Sequence, residues 1–194
     1  MKKALIISIV FAFLSCKPNQ KTVAEPTPTV KKTTDIITEK TMEAEKPKPE
    51  FLTGIIGMDD LQQAPFEAWF VPAYENYQPN HEVVEQLHKL TDNVKITIFM
   101  GTWCEDSQQQ VPRFYKILKF ISFDFNKVTL IATDRSKKTP EHLEEGMTIT
   151  HVPTFIIYKN EKEIQRIVET PVESLEKDLL TILSGKPYKH SYQK

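Results

Sequence analysis

The residues from His81 onward alternate between helical and strand-like spacing of their apolar side chains. Apolar residues three or four positions apart indicate amphipathic helices, whereas short runs of β-branched and aromatic residues indicate buried strands. Two predicted helices cover 81–90 and 104–123, a third begins at Thr139, and a last one opens at 170–173 and ends at Leu183. The predicted strands are 94–100, 128–132, 154–158 and 163–168. This α-β-α-β-α-β-β-α order predicts an α/β fold with a mixed β-sheet covered by helices on both faces.

Local signals define the ends of the later elements. Pro140 follows Thr139 at the first position of one predicted helix, and the run 170–173 (Thr-Pro-Val-Glu) has the form of a capping box that opens the last helix. Residues 159–162 join the last two predicted strands as a hairpin. Strands separated by helices are expected to be parallel, so the sheet should contain both parallel and antiparallel pairs.

The charge balance and the few cysteines exclude several classes of function. The chain has 25 Lys plus Arg and 26 Asp plus Glu, a formal net charge of -1, whereas nucleic-acid-binding domains carry a clear basic excess. Its two cysteines cannot form a tetrahedral zinc site by themselves, and the sequence contains no His-Glu-x-x-His motif or glycine-rich phosphate loop. We therefore expect no nucleic-acid partner, no metal and no cofactor.

The N-terminus has the form of a secretion signal. Lys2 and Lys3 precede the run 4–14, whose eleven residues are apolar except for Ser8. As a helix this run would rise about 16 Å, which is too short for a bilayer core of about 30 Å. Residues 1–15 are therefore interpreted as a signal peptide.

The signal ends in Phe-Leu-Ser-Cys, which resembles a bacterial lipobox with lipidation at Cys16. Two or three acyl chains there would hold the mature protein on a membrane. An ordinary secretory signal with an incidental cysteine is the alternative. Lys17 follows Cys16 in place of an Asp that favours retention at the inner membrane. The expected location is the bacterial cell envelope, lipid-anchored to a membrane, with the outer membrane facing the periplasm favoured.

Two segments of different character precede the alternating pattern. Residues 16–50 comprise the predicted lipidated cysteine and a linker without aromatic residues, for which we expect a disordered tether. Residues 51–80 form a predicted N-terminal helical extension, interrupted at Pro65 and Pro72. Its aromatic residues recur at helical spacing and are Phe66, Trp69, Phe70, Tyr74 and Tyr77. They form either a docking surface or, since an exposed patch would promote aggregation, a stripe packed on the following domain.

The strongest chemical signal is Cys104, between a predicted strand and the helix that follows it. The run 101–107 reads Gly-Thr-Trp-Cys-Glu-Asp-Ser. A thiolate at a helix N-terminus is stabilised by the helix dipole and by unpaired backbone N–H groups, and the thiolate is the nucleophilic form. Further along the chain, the run 151–155 (His-Val-Pro-Thr-Phe) precedes another predicted strand.

Together these runs resemble the thioredoxin superfamily. Its members carry a Trp-Cys-x-x-Cys motif between a strand and a helix, and a Pro eight residues after the first Cys, here Pro112. They also carry a cis-Pro before a later strand, here Pro153. The resemblance covers about 81–187, leaves 188–194 as a C-terminal tail, and implies a thioredoxin-like fold.

The resemblance also implies roles for residues around Cys104. Trp103 would cover the thiol, Pro153 would pack beside it, and Val152 would offer its backbone N–H and C=O to an extended substrate segment. The sequence departs from the family at Ser107, which replaces the second cysteine of the motif. A hydroxyl group cannot resolve a mixed disulfide, so the ordinary dithiol cycle is closed.

Other residues near Cys104 affect the charge around the thiol, and one of them departs from the family pattern. Ile98 stands where thioredoxins carry a buried Asp that shuttles protons. Glu105 and Asp106 place negative charge beside Cys104, which disfavours a thiolate and opposes the helix-dipole effect. A close approach of His151 would activate the thiol, although a solvent-facing loop position is the favoured interpretation.

Three interpretations of Cys104 follow. In the first, it is the catalytic nucleophile of thiol–disulfide exchange, with Ser107 hydrogen-bonding the thiolate and a second thiol releasing it. In the second, the groove formed by Trp103, Val152 and Pro153 holds extended protein segments without turnover. In the third, the thiol is inert packing. The first is the predicted function, with protein thiols or disulfides and a small thiol reductant as partners, and the question of enzyme or redox-inactive binding module stays open.

Overall fold

A mixed five-stranded β-sheet forms the centre of the fold. The computed structural model describes residues 50–193, so the predicted signal peptide, Cys16 and the tether up to residue 49 lie outside the described residues. The strands are β1 (Gly54–Ile56), β2 (Val94–Met100), β3 (Val128–Ala132), β4 (Thr154–Lys159) and β5 (Lys162–Val168). The helices are α1 (Met58–Leu61), α2 (Glu67–Asn76), α3 (His81–His88), α4 (Glu105–Phe120) and α5 (Leu175–Leu183), with one 3-10 turn at Phe125–Lys127. No helix in this part of the chain is long and apolar enough to span a bilayer.

The order of the sheet is β1-β3-β2-β4-β5, which places β2 at its centre. Strand β2 runs parallel to β3 and antiparallel to β4, and β4 and β5 form the predicted hairpin. These pairs confirm the mixed α/β sheet predicted from the sequence. Strand β1, which the sequence pattern did not predict, pairs antiparallel with β3 and places Ile55 opposite Ile131.

Side-chain alternation along the central strands separates two buried apolar clusters. The main core takes Ile96, Ile98 and Met100 from one face of β2. Buried helix residues complete it, including Phe70, Val84, Leu87, Val111, Ile117, Leu118, Leu175, Leu179 and Ile182. Within it, the rings of Phe114 on α4 and Phe155 on β4 lie 4.5 Å apart between centroids. This core holds helices α2 to α5 against the sheet.

A smaller second cluster lies against the other side chains of the same strands. It contains Phe99, Ile131 and Ile156. Partly buried residues from the connection between β3 and β4 cover it, namely Leu143, Met147 and Ile149. The predicted helix starting at Thr139 does not form in this connection, so turns cover the second cluster.

The wrong prediction at Thr139 has a local cause. Thr139 Oγ1 accepts a hydrogen bond from the Leu143 N–H at 2.8 Å, as a helix cap would. It also donates to the buried Glu144 carboxylate at 2.8 Å. His142 and Gly146 then adopt left-handed φ angles of 57° and 74°. Because left-handed backbone cannot continue a right-handed helix, the capping signal produces only a turn.

The last helix begins later than the capping box predicted at 170–173. Helix α5 starts at Leu175, and its N-cap is Ser174, whose Oγ accepts a hydrogen bond from the Lys177 N–H at 3.3 Å. The backbone N–H groups at positions 172 and 173 donate to the Asp178 carboxylate instead. The predicted box is therefore wrong because Asp178 takes the donors that it would have used.

The segment 51–80 contains β1 as well as the helices α1 and α2. Helix α2 continues through Pro72, so Pro65 alone separates the two helices. Phe66 and Phe70 are 7% and 1% exposed. The other three aromatic side chains of the stripe are partly buried against the main core. This arrangement agrees with the packed stripe and not with an exposed docking surface.

A buried carboxylate connects this segment to the last helix. Glu176, in the first turn of α5, accepts hydrogen bonds from Tyr77 Oη at 2.6 Å and from the Asn80 N–H at 3.1 Å. Burial alone would raise the pKa of Glu176, but these bonds, its own backbone N–H and Ser174 lower the pKa below the ordinary value. The fold therefore stabilises the charged form.

We predict that Glu176→Gln lowers the free energy of unfolding at neutral pH by about 1–3 kcal/mol, because a buried charged acceptor is lost. A carboxyl group with a lower pKa in the folded state stabilises the fold above its unfolded pKa, and this contribution disappears as the pH falls. Urea denaturation measured from about pH 6 downward should thus show the difference shrinking once the pH falls below the unfolded Glu pKa of about 4.3.

The matched control is Glu173→Gln, which changes an exposed carboxylate of the same segment; it forms an ion pair with Lys177 at 3.3 Å. We expect it to change the free energy of unfolding by less than about 0.5 kcal/mol. A Glu176→Gln effect that stays constant across this pH range would contradict the role given to the charge.

Candidate functional site

Cys104 lies where the central strand β2 passes into helix α4. The Cys104 N–H donates to the Gly101 carbonyl at 2.9 Å and closes the turn between the two elements. Cys104 is the N-cap of α4, and its carbonyl accepts the first helical hydrogen bond from the Gln108 N–H at 2.9 Å. The thiol is thus half-buried at the positive end of a helix of 16 residues.

The segment before β4 brings Val152 and Pro153 against this thiol. Cys104 Sγ lies 3.2 Å from the Val152 carbonyl oxygen, to which the S–H donates. Val152 and Pro153 are buried, and the peptide bond between them is cis. Residues that lie 48 positions apart in the chain therefore meet in one site.

The thiol does not cap the helix that it precedes. No hydrogen bond of residues 50–193 joins Cys104 Sγ to the first turn of α4. The N–H groups of that turn have no helical acceptor. They can therefore stabilise negative charge on the sulfur once the thiol has lost its proton.

Ser107, at the position of the missing second cysteine, is fully buried. Its Oγ accepts a hydrogen bond from the Gly101 N–H at 3.1 Å and ties the first turn of α4 to the end of β2. Within the described part of the chain, no hydrogen bond joins Ser107 to Cys104, although the sequence analysis considered one. The hydroxyl group still has its proton to donate, because it accepts and donates at the same time.

Trp103 forms a wall next to Cys104. Its Nε1–H donates to the Thr133 carbonyl at the end of β3, at 2.8 Å. The Arg135 guanidinium lies over the ring, with its central carbon 5.4 Å from the centroid. The ring also lies so close to Gly101 that a Cβ there would be 2.5 Å from Trp103 Cε2. The orientation of the ring is thus determined from several sides.

Three carboxylates lie near the start of α4. Glu105 and Asp106 follow Cys104 directly, and Glu169 follows strand β5. Burial raises the pKa of Asp106, and the negative charges of Glu169 and Glu105 raise it further. Negative charge also disfavours a thiolate. The site should therefore accept neutral or cationic substrates more readily than anionic ones.

Ile98 is fully buried on β2, between Leu130 on β3 and Phe155 on β4. An apolar side chain therefore stands where thioredoxins carry the proton-shuttling carboxyl group. Elsewhere in residues 50–193, no group of three or more His, Cys, Asp or Glu side chains is arranged to hold a metal ion.

The C-terminal tail contacts this site, which no sequence motif predicted. The Tyr192 ring stacks on His151 with centroids 3.8 Å apart, and its hydroxyl donates to Glu169. His151 Nδ1 lies 3.0 Å from Thr150 Oγ1, so the imidazole contacts the tail and does not pair with Cys104. A tyrosine in a short polar tail was the signal available from the sequence.

A groove of about 440 Å³ lies between α2 and the first turns of α4. Its walls include Trp69 and Tyr77 on one side and Gln108 and Arg113 on the other. The Arg113 guanidinium lies over the Tyr77 ring, 5.5 Å from the centroid. Glu105, the residue that follows Cys104 in the chain, also lines the groove.

We predict that Gly101→Ala displaces the Trp103 ring and lowers the free energy of unfolding by about 1–3 kcal/mol, because the added methyl group overlaps the indole. The indole N–H signal of Trp103 in an NMR spectrum measures the displacement of the ring, and urea denaturation measures the loss of stability. Gly57→Ala is the control, since a Cβ there has no neighbour closer than 3.6 Å. An unchanged indole signal in Gly101→Ala would contradict the close packing described for Trp103.

Comparisons with known proteins give a matching family model and several solved structures of low similarity. A family model described as Thioredoxin matches residues 57–179, and no curated protein matches the chain significantly. A Pseudomonas aeruginosa protein of unknown function has a similar structure, with a TM-score of 0.49 and 15% identity over 63% of this chain and 86% of that chain. The Drosophila melanogaster germline-specific thioredoxin Deadhead gives a TM-score of 0.34 and 17% identity over 52% and 88%. A Malassezia sympodialis thioredoxin gives 0.35 and 24% over 51% and 84%.

The family model covers more than half of the chain. The matched region begins just before α1 and extends into α5, so it includes both the turn at Cys104 and the cis-Pro153 segment. The chain therefore belongs to the thioredoxin superfamily.

Proposed function

We propose that this protein is a membrane-anchored thioredoxin-like protein of the bacterial cell envelope that exchanges thiols and disulfides through Cys104 alone. The observation that carries the proposal is the half-exposed thiol at the N-terminus of α4, 3.2 Å from the Val152 carbonyl oxygen and beside cis-Pro153. Access to solvent, a helix N-terminus and a neighbouring backbone edge are the features that favour a nucleophilic cysteine with a peptide substrate.

The reaction consists of two thiol–disulfide exchanges. The Cys104 thiol loses its proton to solvent, and its thiolate attacks one sulfur of a client disulfide. The client S–S bond breaks as the bond to Cys104 forms, and the other client sulfur leaves as a thiolate that takes up a proton. A second thiol, from the client or from a small thiol, then attacks the mixed disulfide and releases Cys104. Each step breaks one disulfide and forms one.

Ser107 accounts for the need for a second thiol, because its hydroxyl cannot form a disulfide. In the proposed mechanism it is a positioning residue. Its buried Oγ is oriented by the Gly101 N–H, and the remaining proton is available to the Cys104 thiolate. This bond and the free N–H groups of α4 would offset the charges of Glu105 and Asp106.

Val152 would link the formation of the mixed disulfide at Cys104 to recognition of the client backbone. In the thiol form, its carbonyl accepts the Cys104 S–H, and within residues 50–193 its N–H has no hydrogen-bond partner. Formation of a mixed disulfide removes the S–H proton and frees the carbonyl. Both backbone groups could then pair with an extended client segment, as neighbouring strands do.

A redox-inactive binding module is the second candidate. It is favoured by the carboxylates of Glu105, Asp106 and Glu169, which oppose a thiolate, and by the apolar side chain of Ile98. In that case the surface formed by Trp103, Val152 and Pro153 holds extended segments while Cys104 remains a thiol. The two candidates differ in their dependence on the sulfur.

We predict that the full chain with Cys16→Ser, whose only thiol is Cys104, accelerates the cleavage of an uncharged, quenched peptide disulfide by 2-mercaptoethanol. A neutral probe avoids repulsion by the nearby carboxylates. Adding Cys104→Ser should return the rate to the uncatalysed value, a loss of at least about tenfold. Mass spectrometry should detect the mixed disulfide at Cys104.

Further variants separate the two candidates. Ser107→Cys would supply an internal second thiol, so it should release the client without added 2-mercaptoethanol. A binding module would instead bind the peptide equally well with and without Cys104→Ser, and would lose it with Trp103→Ala. Equal cleavage rates with and without Cys104→Ser would exclude the exchange function.

We also predict that Cys16 carries the lipid anchor. Cells that express the full chain and receive a fatty acid with a clickable label should yield a labelled protein in the membrane fraction. Cys16→Ser should abolish both the label and the membrane association, because the acyl chains supply the binding free energy. Cys104→Ser is the matched control and should keep both. An unlabelled, released protein with Cys16 intact would favour the ordinary secretory signal.

A further inference from the structure

The C-terminal tail is attached to the domain at two places. Nearer to α5, the Tyr188 carbonyl accepts a hydrogen bond from Gln165 Nε2 and the Tyr188 hydroxyl donates to Asp178, both at 2.9 Å. Farther along, the Tyr192 side chain lies beside the site. Tyr188 is half-buried, whereas Tyr192 is 46% exposed. The end of the tail can therefore leave the surface while Tyr188 keeps its contacts.

Tyr192 makes two different contacts with the rim of the site. Its ring stacks on the His151 imidazole, with centroids 3.8 Å apart and planes 20° apart. Its hydroxyl donates to a Glu169 carboxylate oxygen. An aromatic face and a charged acceptor thus recognise the two halves of a phenol separately.

Both contacting residues are held by the segment that carries cis-Pro153. The Glu169 N–H donates to the Pro153 carbonyl at 2.7 Å, and Glu169 adopts a left-handed φ of 63°. His151 directly precedes Val152, and the Val152 carbonyl accepts the Cys104 S–H. Tyr192 therefore contacts the residue directly before Val152, whose backbone would meet a client next to Cys104.

We propose that His151 and Glu169 form a subsite for a tyrosine side chain of an extended client segment, and that the chain's own Tyr192 fills this subsite when no client is bound. The subsite itself follows from the contacts of Tyr192, and only its use for exchange clients rests on the proposed function. A phenylalanine ring could stack on His151 but could not donate to Glu169. The subsite therefore selects tyrosine among aromatic side chains.

The charges around the subsite require a neutral phenol. The hydrogen bond to Glu169, and the negative charges of Glu169 and Asp106, raise the pKa of Tyr192 above its ordinary value. A tyrosine there keeps its proton and acts as the donor. A phosphorylated tyrosine would be repelled by the same carboxylates.

A tethered occupant competes without excluding the client. Short flexible tethers give effective concentrations in the millimolar range, and the nearly half-exposed Tyr192 ring gives up little buried surface when it leaves. A client that also pairs with Val152 would displace it. The tail would thus raise the affinity that a client without a tyrosine at this position needs in order to bind.

The test uses the full chain with Cys16→Ser, with or without Tyr192→Ala, and N-acetyl-tyrosinamide as the probe. NMR follows the His151 ring signals and the Glu169 amide during the titration. We expect saturable shifts at both residues in the Tyr192→Ala protein. With Tyr192 present, the same shifts should require at least about fivefold more probe, because the tethered ring competes.

Three controls define the specificity. Gln193→Ala changes a neighbouring tail residue and should behave like the protein with Tyr192. Tyr192→Phe keeps the ring but loses the hydroxyl, so it should compete less than Tyr192. N-acetyl-phenylalaninamide should bind the Tyr192→Ala protein at least about threefold more weakly than the tyrosine probe, because it has no donor for Glu169. Thermal denaturation verifies that each variant is folded.

The inference is overturned if the folded Tyr192→Ala protein shows no saturable shift at His151 and Glu169, or if both probes bind equally. The exchange assay is performed on the same proteins. Probe binding without exchange by Cys104 would overturn the proposed function and leave the subsite standing. Exchange without probe binding would overturn the subsite and leave the proposed function standing.

Discussion

The packing of Phe114 against Phe155 determines where the site forms. Both rings are fully buried, one on α4 and the other on β4. Because β4 lies beside β2 in the sheet, this contact holds the middle of α4 against the start of β4, the strand that follows Val152 and Pro153. A single hydrogen bond contributes about 0.5–1.5 kcal/mol, whereas loss of a buried phenylalanine ring costs about 3–5 kcal/mol. The core thus imposes the geometry of the site.

Most of the fold could be predicted from the sequence, because most of its helices and strands have a pattern of apolar residues that extends over several positions. The bounds of β2 and β3 agree with the predicted strands because their apolar, β-branched runs are buried as predicted. The helix predicted at Thr139 does not form because His142 and Gly146 adopt left-handed backbone. The capping box at 170–173 does not form because Asp178 takes the backbone donors. Strand β1 has three residues and begins at a glycine, so it is too short for alternating apolar and polar residues to predict it.

The candidate site also contains some features that the sequence predicted and others that it did not. The turn at Cys104 and the cis-Pro153 segment were predicted because family motifs mark both positions in the sequence. The bond between Ser107 and Gly101, and the stacking of Tyr192 on His151, were not predicted. The second contact joins residues that lie far apart in the chain and occupy no common helix or strand. Only the packed domain brings them together, so spacing and composition alone do not predict the contact.

The edges of the sheet constrain how an extended chain can approach. The edge strand β1 has three residues, which is too short a ladder to hold a further strand. On the opposite edge, β5 carries Lys162, Glu163 and Arg166, and charged side chains on an edge discourage strand addition. Within the described sheet, the addition of a client strand at either edge is thus unfavourable. In the proposed function, a client would pair at one short stretch of backbone beside the thiol, and so brief an attachment favours rapid release.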